Sequence, residues 1–486
     1  MSGIASNRPS KRGAPTPTLA KSALPAAPLN RVTSGWPRPT CGIPDKGLTG
    51  INQKPLARIE NRCLSLKTVF ISTAGKNRFE EKNAAMLAQP EKQSSDDRIA
   101  AHARLLSEKL LSIRDKLFPP ESVKTLRSFT SGEAARLIGV SDSYLRQLSS
   151  DGLGPLPEVS ASGRRSYTLA QINGLRRYLA GARPKEAAQF LPHRRKGERL
   201  QTVSCVNFKG GSAKTTTSLY LAQFLALRGY RVLALDLDPQ ASLTSMFGMQ
   251  PEFDLREGDT LYGAIRYDGT RRATRDVVRK TYFDGVDLIP GNLELMEFEH
   301  ETPRALAEGR RTGAGAFFMR IGEALSQVEA DYDVVVIDCP PQLGYLTLSA
   351  LCAATGLLVT IHPQMVDVAS MSQFLLMTSD LLSVVRKAGG ELQHDFIRYL
   401  VTRHEPHDGP QSQIVALLRS LFGEEVLAAS AWKSTAIADA GLTKQSLYEL
   451  ERGAVSRATF ERAIESLEAV NGEILELIHR AWGRAA

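Results

Sequence analysis

Val206-Asn207-Phe208-Lys209-Gly210-Gly211-Ser212-Ala213-Lys214-Thr215-Thr216 follows a short β-rich run, Thr202 to Val206, and opens a helical stretch that runs to Gly229. Strand, glycine turn and helix, in that order, are what a phosphate loop needs. Two glycines let successive backbone amides turn inward on an anion, and the helix N-terminus adds the positive end of its dipole. In such a loop Lys214 reaches the β and γ phosphates of a nucleotide and the Thr215 hydroxyl ligates Mg2+. The cradle itself is Gly210, Gly211, Ser212, Ala213, Lys214, Thr215 and Thr216. The loop departs from the usual GxxxxGK[ST] pattern. Phe208 stands where the first glycine belongs, Ala213 precedes the lysine, and an extra lysine, Lys209, opens the loop.

Beyond this loop, continuously apolar runs alternate with longer helical stretches: Arg231 to Leu235, Val286 to Ile289, Asp333 to Ile337, Leu357 to Ile361 and Phe396 to Val401. Strands without polar alternation are buried on both faces, so the expected fold is an α/β P-loop NTPase layered domain with a mainly parallel sheet over residues 200–486. Two of the runs end in acids, Asp236-Leu237-Asp238-Pro239-Gln240 and Asp338-Cys339-Pro340-Pro341. That is the sheet edge at which open α/β folds bind ligands. Asp338 suits a Mg2+ held through water, and Asp238 suits orientation of an attacking water. A lone strand-end Asp is more often a cap; next to a phosphate loop the functional reading prevails.

On the N-terminal side, residues 128–182 read as helix, tight turn, helix: Gly132 to Ile138, a turn at Gly139, then Ser143 to Leu148. A Gly163-to-Tyr167 segment and a third helix with Ile172, Leu175 and Leu179 complete the unit. Phe129 to Ala135, Gly139 to Ser141, Tyr144 to Arg146 and Gly163 to Tyr167 resemble the winged MerR-type module, and the resemblance implies a helix-turn-helix DNA-binding domain over 121–182 with Ser143, Tyr144 and Arg146 facing the major groove and Arg164 and Arg165 on the wing. Its 6 basic and 4 acidic residues do not prove DNA binding by charge, and a helical dimerisation module is the bland alternative. Ahead of it, Ile99, Ala103, Leu106, Leu110, Ile113 and Leu117 keep an a/d rhythm until Pro119-Pro120, predicting an amphipathic helix over 95–120 that serves as a dimerisation helix or packs on its own domain. Residues 183–199, with six basic and two acidic residues, read as an exposed linker.

The chain has 486 residues, enough for two or three folded units, and its 42% hydrophobic and 23% charged composition is that of a globular protein. Its net charge of +9 is carried by one end. Residues 1–90 hold 14 Lys/Arg against 4 Asp/Glu, and the remainder 47 against 48. With 10 of the 25 prolines, residues 1–94 read as a disordered basic tail, or as sequence upstream of a true start such as Met86. Five cysteines without CxxC spacing suit a reducing cytoplasm. The longest uncharged stretch, Cys339 to Val366, carries prolines and glycines that argue against a membrane span. His394, His404 and His407 lack a metal-ligand rhythm and read as solvent-facing loop residues. The C-terminal helix, with Ile464, Leu467, Ile474, Ile478 and Trp482, reads as core or interface.

The Lys209-to-Thr216 loop, Asp236–Gln240 (DLDPQ) and Val335–Pro341 (VVIDCPP) resemble the ParA/MinD class of deviant Walker ATPases. Arg398–Pro410 and Lys433–Glu451 resemble the RepA partitioning ATPases of repABC plasmids. The resemblance implies roles. Lys209 is the signature lysine that reaches the nucleotide of the partner subunit in an ATP-sandwich homodimer, Lys214 binds phosphates, Thr215 binds Mg2+, and Asp238 assists hydrolysis. It also implies ATP as cofactor, weak basal turnover, nonspecific DNA binding by the ATP-bound dimer, a ParB/RepB-type centromere-binding partner, autorepression of its operon through the N-terminal module, and a cytoplasmic, nucleoid-associated location without membrane contact. A nucleotide-sensing transcriptional regulator is the alternative. An iron-sulfur protein of the same fold is a third reading, weakened because Cys339 has no second cysteine in a glycine-rich context.

Overall fold

A computed structural model describes residues 94–117, 124–309, 316–390, 392–451, 453 and 455–484. The expected tail, residues 1–94, lies outside them except for Ser94, and so do Pro119 and Pro120.

The main body is built on a seven-stranded sheet. Its strands are β4 (Gln201–Val206), β5 (Val232–Asp236), β6 (Arg279–Lys280), β7 (Val286–Ile289), β8 (Val334–Asp338), β9 (Gly356–Ile361) and β10 (Phe396–Val401), in the order β10-β9-β4-β8-β5-β7-β6. All neighbours pair in parallel except the two-residue edge strand β6, which runs antiparallel to β7. The six apolar runs therefore become the parallel strands; β6, short and basic, has no apolar signal to announce it. Strands β4, β5 and β8 are buried along their whole length, because helices cover both faces. Each large aliphatic side chain so buried contributes about 1.5–3 kcal/mol.

Five helices of this body bear on function: α5 (Lys214–Leu227), α6 (Leu295–Ala307), α7 (Tyr345–Ala353), α8 (Met365–Lys387) and α9 (Gly409–Phe422). Two more, α10 (Thr435–Leu442) and α11 (Arg457–Ala481), end the chain. Helix α5 is buried on nearly every side, and from Leu219 to Leu227 its residues are apolar or aromatic except Gln223. Helix α11 packs Leu467, Ile474, Ile478 and Trp482 into the core, joined by Val470 and Leu477. Helix α8 is long and apolar enough to cross a membrane by length and composition, yet Met371, Phe374 and Val385 are packed into the core. Its Leu376, Met377 and Val384 face outward.

Preceding the body, α1 (Ser95–Leu117) leaves Ile99 and Leu106 exposed. A small unit follows: β1 (Phe129–Thr130), α2 (Ser131–Ile138), α3 (Asp142–Ser150), β2 (Glu158–Val159), β3 (Arg165–Tyr167) and α4 (Leu169–Ala182), with the strands in an antiparallel β1-β3-β2 sheet. Local chemistry fixes its boundaries. Thr130 and Glu133 form a capping box on α2, Gly139 ends it in the left-handed region at φ 84°, and Ser141 caps α3. Ile172, Leu175 and Leu179 of α4 form its core with Ala134, Ile138, Leu145 and Leu148.

This unit is bolted to the body. Arg176 of α4 is only 2% exposed, and its guanidinium donates to the carbonyls of Leu137 and Leu227, each at 2.6 Å, and to Asn173 Oδ1 at 2.6 Å. Those carbonyls belong to the last turns of α2 and α5, where a cation is favoured by both helix dipoles. Asn173 reaches across to Asp284, and Lys124 pairs with buried Glu449 at 2.7 Å. The stretch expected as an exposed linker is also held down. Phe190 is buried, His193 and Arg194 bind Asp333, and Arg484 donates to Glu198 and to the carbonyls of Pro192 and His193.

Candidate functional site

Strand β4 delivers the chain to a loop, residues 207–213, and α5 begins at Lys214. Gly211 and Ala213 lie in the left-handed region, at φ 76° and 66°. A Cβ on Gly210 would meet nothing within 4 Å, so the loop is open to a ligand there. Among the described residues, the N–H groups of Gly210, Gly211, Ser212 and Ala213 donate to no protein acceptor. Four successive free donors beside a helix N-terminus form an anion nest. Phe208 packs on Phe374 of α8 at 5.6 Å between ring centres, which accounts for an aromatic where a glycine is usual.

Lys214 is 7% exposed and its Nζ donates to the Lys209 carbonyl at 3.3 Å. Burial lowers its pKa, opposed by the nearby carboxylates of Asp338 and Asp238. Thr215 and Thr216, on the first turn of α5, are partly exposed. Asp338 ends β8 and is fully buried. Its Oδ1 accepts from Ser218 at 3.4 Å, while Oδ2 is buried with no hydrogen-bond partner. Burial first, then repulsion from Asp236, pushes its pKa well up, while Thr215 and Lys214 draw it down. A metal ion or its water fits that unpartnered oxygen, and Thr215 is the hydroxyl beside it.

Asp238 is half-buried, and its Oδ1 accepts from the N–H of Gln240 at 2.9 Å, so it caps its own turn. Lys209 is ion-paired with Asp367 of α8, whose other oxygen lies 3.2 Å from His362 Nδ1. The extra lysine thus rests on its own chain.

Several residues that shape the site were missed. Asp236, read only as part of the strand end, is fully buried and fixed by Thr244, which donates to it from backbone at 2.8 Å and hydroxyl at 2.7 Å. Glu299 of α6 accepts from the N–H groups of Tyr345 and Leu346, each at 2.9 Å, and holds the start of α7 after the Asp338-to-Pro341 turn. Thr360, Thr402 and Arg403 support the phosphate loop from β9 and the end of β10. For Asp236, Thr360, Thr402 and Arg403 the available signal was positional, since each stands at or just beyond the C-terminal end of an apolar strand; Glu299, inside α6, carries no such signal. His404 corrects the solvent-facing reading, being 9% exposed under the 431–433 segment.

In the small unit, Ser143 and Arg146 are exposed on α3, with Arg146 bridging Asp142 at 2.5 Å. Tyr144 is half-buried under the Arg183 guanidinium, 4.7 Å from its ring centre. Arg164 is exposed, whereas Arg165 folds back on α3 and donates to Ser149 at 3.3 Å. Arg164 is therefore open to a ligand, Arg146 is exposed but paired with Asp142, and Arg165 and Tyr144 are folded back on the unit.

A glycine loop between the first strand and the first helix of a parallel sheet, with carboxylates at the ends of two adjoining strands, defines a P-loop nucleotide-binding protein. A family model described as an AAA domain matches residues 200–388. A Rhizobium rhizogenes protein provisionally named replication protein A is 55% identical over 387 residues, covering 79% of this chain and 94% of that protein. Protein SopA of Escherichia coli K12 is 31% identical over 372 residues, covering 75% of this chain and 92% of SopA. A solved structure described as a partition protein shares the fold at a TM-score of 0.55 and 17% identity, covering 79% of this chain and 99% of its own. The chain belongs to the ParA family of plasmid-partition ATPases.

Proposed function

We propose that this chain is the ATPase of a plasmid-partition system, cycling between DNA-bound and free forms under control of ATP. The observation that carries this reading is buried Lys214 at the start of α5, beneath four unpaired loop amides and beside the Asp338 carboxylate. Gly210 to Thr216 bind the phosphates, Lys214 reaches the β and γ groups, and Thr215 with Asp338 hold Mg2+. Bound Mg2+ supplies charge neutralisation at the phosphate oxygens. Asp238 orients the attacking water, and its present cap on Gln240 keeps it at the mouth of the site.

Lys209 leaves Asp367 to meet the nucleotide of a second subunit, which makes dimerisation depend on ATP. The outward apolar residues of α8, together with Met365 and Val366 beside that ion pair, support a homodimer formed on this face. The dimer binds nonspecific DNA of the nucleoid in the cytoplasm. A ParB/RepB-type centromere-binding protein raises the weak basal hydrolysis and releases it. Residues 121–182 act as a winged helix-turn-helix on operator DNA and repress the operon, with Ser143, Arg146 and Arg164 toward DNA; α1 adds a dimer contact through Ile99 and Leu106.

The test is ATP binding and turnover by the purified chain with Mg2+, alone and with partner protein and DNA. Weak turnover that rises with both is expected; absence of ATP binding ends the reading. The contact of the small unit with the end of α5 through Arg176 favours one second reading, a regulator that senses nucleotide without transport. Replacing Asp238 separates them, since a pure repressor keeps plasmids stable when hydrolysis alone is lost.

A further inference from the structure

Two successive residues at the end of β10 grip two successive carbonyls of the phosphate loop. The buried Thr402 hydroxyl donates to the Ser212 carbonyl at 3.1 Å, and the Arg403 guanidinium donates to the Gly211 carbonyl at 3.3 Å. In a trans peptide the N–H points opposite to the C=O of the same unit. Pulling the Gly211 and Ser212 carbonyls toward β10 therefore turns the N–H groups of Ser212 and Ala213 the other way. Those are two of the four loop amides without a protein acceptor.

The arrangement is built, at a cost. Arg403 lies in the left-handed region at φ 52°, a conformation that a non-glycine residue adopts only where its surroundings hold it. Thr402 is fixed from the other side, its N–H donating to the Ile361 carbonyl at 2.8 Å. Strand β9 adds a third hold: Thr360 donates its hydroxyl to Ser212 Oγ at 3.0 Å, and its carbonyl accepts from Asn207 at 2.6 Å. The loop is thus braced by the two strands on that side of β4, and the braces end on the peptide units whose amides must face an anion.

We infer that Thr402 and Arg403 are positioning residues for the phosphate-binding nest, setting the direction of the Ser212 and Ala213 amides. Arg403 serves the nucleotide site in this way rather than as a basic contact to DNA. The inference rests on the loop being a nucleotide site, as proposed above. Its signature is loss of affinity common to nucleoside di- and triphosphates, because a preorganised nest serves whatever phosphate sits in it.

The experiment uses the full chain with Arg403→Gly, Arg403→Lys, Thr402→Val and Thr402→Ser. Glycine suits the backbone at φ 52°, so Arg403→Gly removes the guanidinium and relieves strain together, and its melting temperature should hold. Calorimetric titration with Mg2+ and either ADP or a non-hydrolysable ATP analogue should show both affinities falling by a similar factor, roughly tenfold, in Arg403→Gly and Thr402→Val. Arg403→Lys and Thr402→Ser should recover part of it. Retardation of random-sequence DNA at saturating analogue should match the unaltered protein. Unchanged affinity for both nucleotides overturns the inference, as does a loss confined to the ATP analogue, which marks a direct γ-phosphate contact. A loss confined to DNA retardation overturns it in favour of a DNA contact. If the unaltered protein binds neither nucleotide, the proposed function falls and the inference with it; normal binding by both Gly and Val variants removes the inference alone.

Discussion

Asp236 and Asp338 are register partners at the ends of the adjacent parallel strands β5 and β8, and both carboxyl groups are fully buried. Burial in the dry sheet pushes both above the usual carboxylate range; repulsion from Asp236 adds to the rise at Asp338, and repulsion from Asp238 to that at Asp236. The proposed function gives that cost a use, since Asp338 is the carboxylate assigned there to Mg2+. Asp338→Asn should raise the melting temperature of nucleotide-free protein at pH 8 by about 1–2 °C, on the order of 1 kcal/mol, while Mg2+-dependent ATP turnover falls below detection. Scanning calorimetry and a phosphate-release assay check the two halves; a destabilised, active variant contradicts both.

The two lysines of the loop should separate binding from assembly. Lys214→Ala removes the buried cation at the cradle and should weaken ATP by about 100-fold or more. Lys209→Ala removes only the group resting on Asp367, so ATP binding should stay within about threefold while the ATP-dependent dimer disappears. Equilibrium titration with labelled nucleotide and gel filtration coupled to light scattering read these outcomes.

Asp333, at the foot of β8, gives a pH signature. Burial alone would raise its pKa, but hydrogen bonds from His193 and Arg231 and from the N–H groups of Arg231 and Arg194 outweigh it and hold the carboxyl well below the usual range. Between the depressed folded value and the ordinary one near ~4, the unfolded chain binds more protons. This stabilisation is therefore fully present above about pH 5 and is lost as pH falls through that window. The melting-temperature gap between unaltered protein and Asp333→Asn should be widest at pH 7 and shrink steadily toward pH 3.

Removing the bolt between the units should be costly. Arg176→Met leaves the Leu137 and Leu227 carbonyls buried without their donor, a loss of about 2–4 kcal/mol. Limited proteolysis should then cut within residues 183–199 faster than in the unaltered protein; an unchanged rate contradicts the docking of α4 on α5.

For the small unit, Arg164→Ala should lower the slope of log affinity against log salt for operator DNA by about 1. Arg165→Ala, whose side chain is tied to Ser149, should leave that slope unchanged. A salt series of retardation assays measures both.

The parallel sheet was legible because its strands are buried on both faces and so read as unbroken apolar runs; β6, basic and two residues long, carries no such mark. Lys214, Thr215 and Asp338 stand out because each closes a local pattern of strand, turn or helix start. Thr360, Thr402 and Arg403 belong to elements about 150 to 190 residues away from the loop they brace, and only the sheet order brings β9 and β10 beside it. Arg176 reads as one more charge on a helix until the fold places two helix ends against it. Tyr144 is expected outward from the resemblance to a winged helix-turn-helix, and Arg183, beyond the end of α4, covers it.

Gly229 closes the far end of α5 at φ 93°, and a methyl group there would stand 3.2 Å from the Arg176 guanidinium. Anyone exchanging the front third of this chain for that of a relative must therefore transplant a matched lock and key: the cation on the incoming helix, and the side-chain-free corner on the receiving one. A chimera that carries only one half should be destabilised at the seam between α4 and α5.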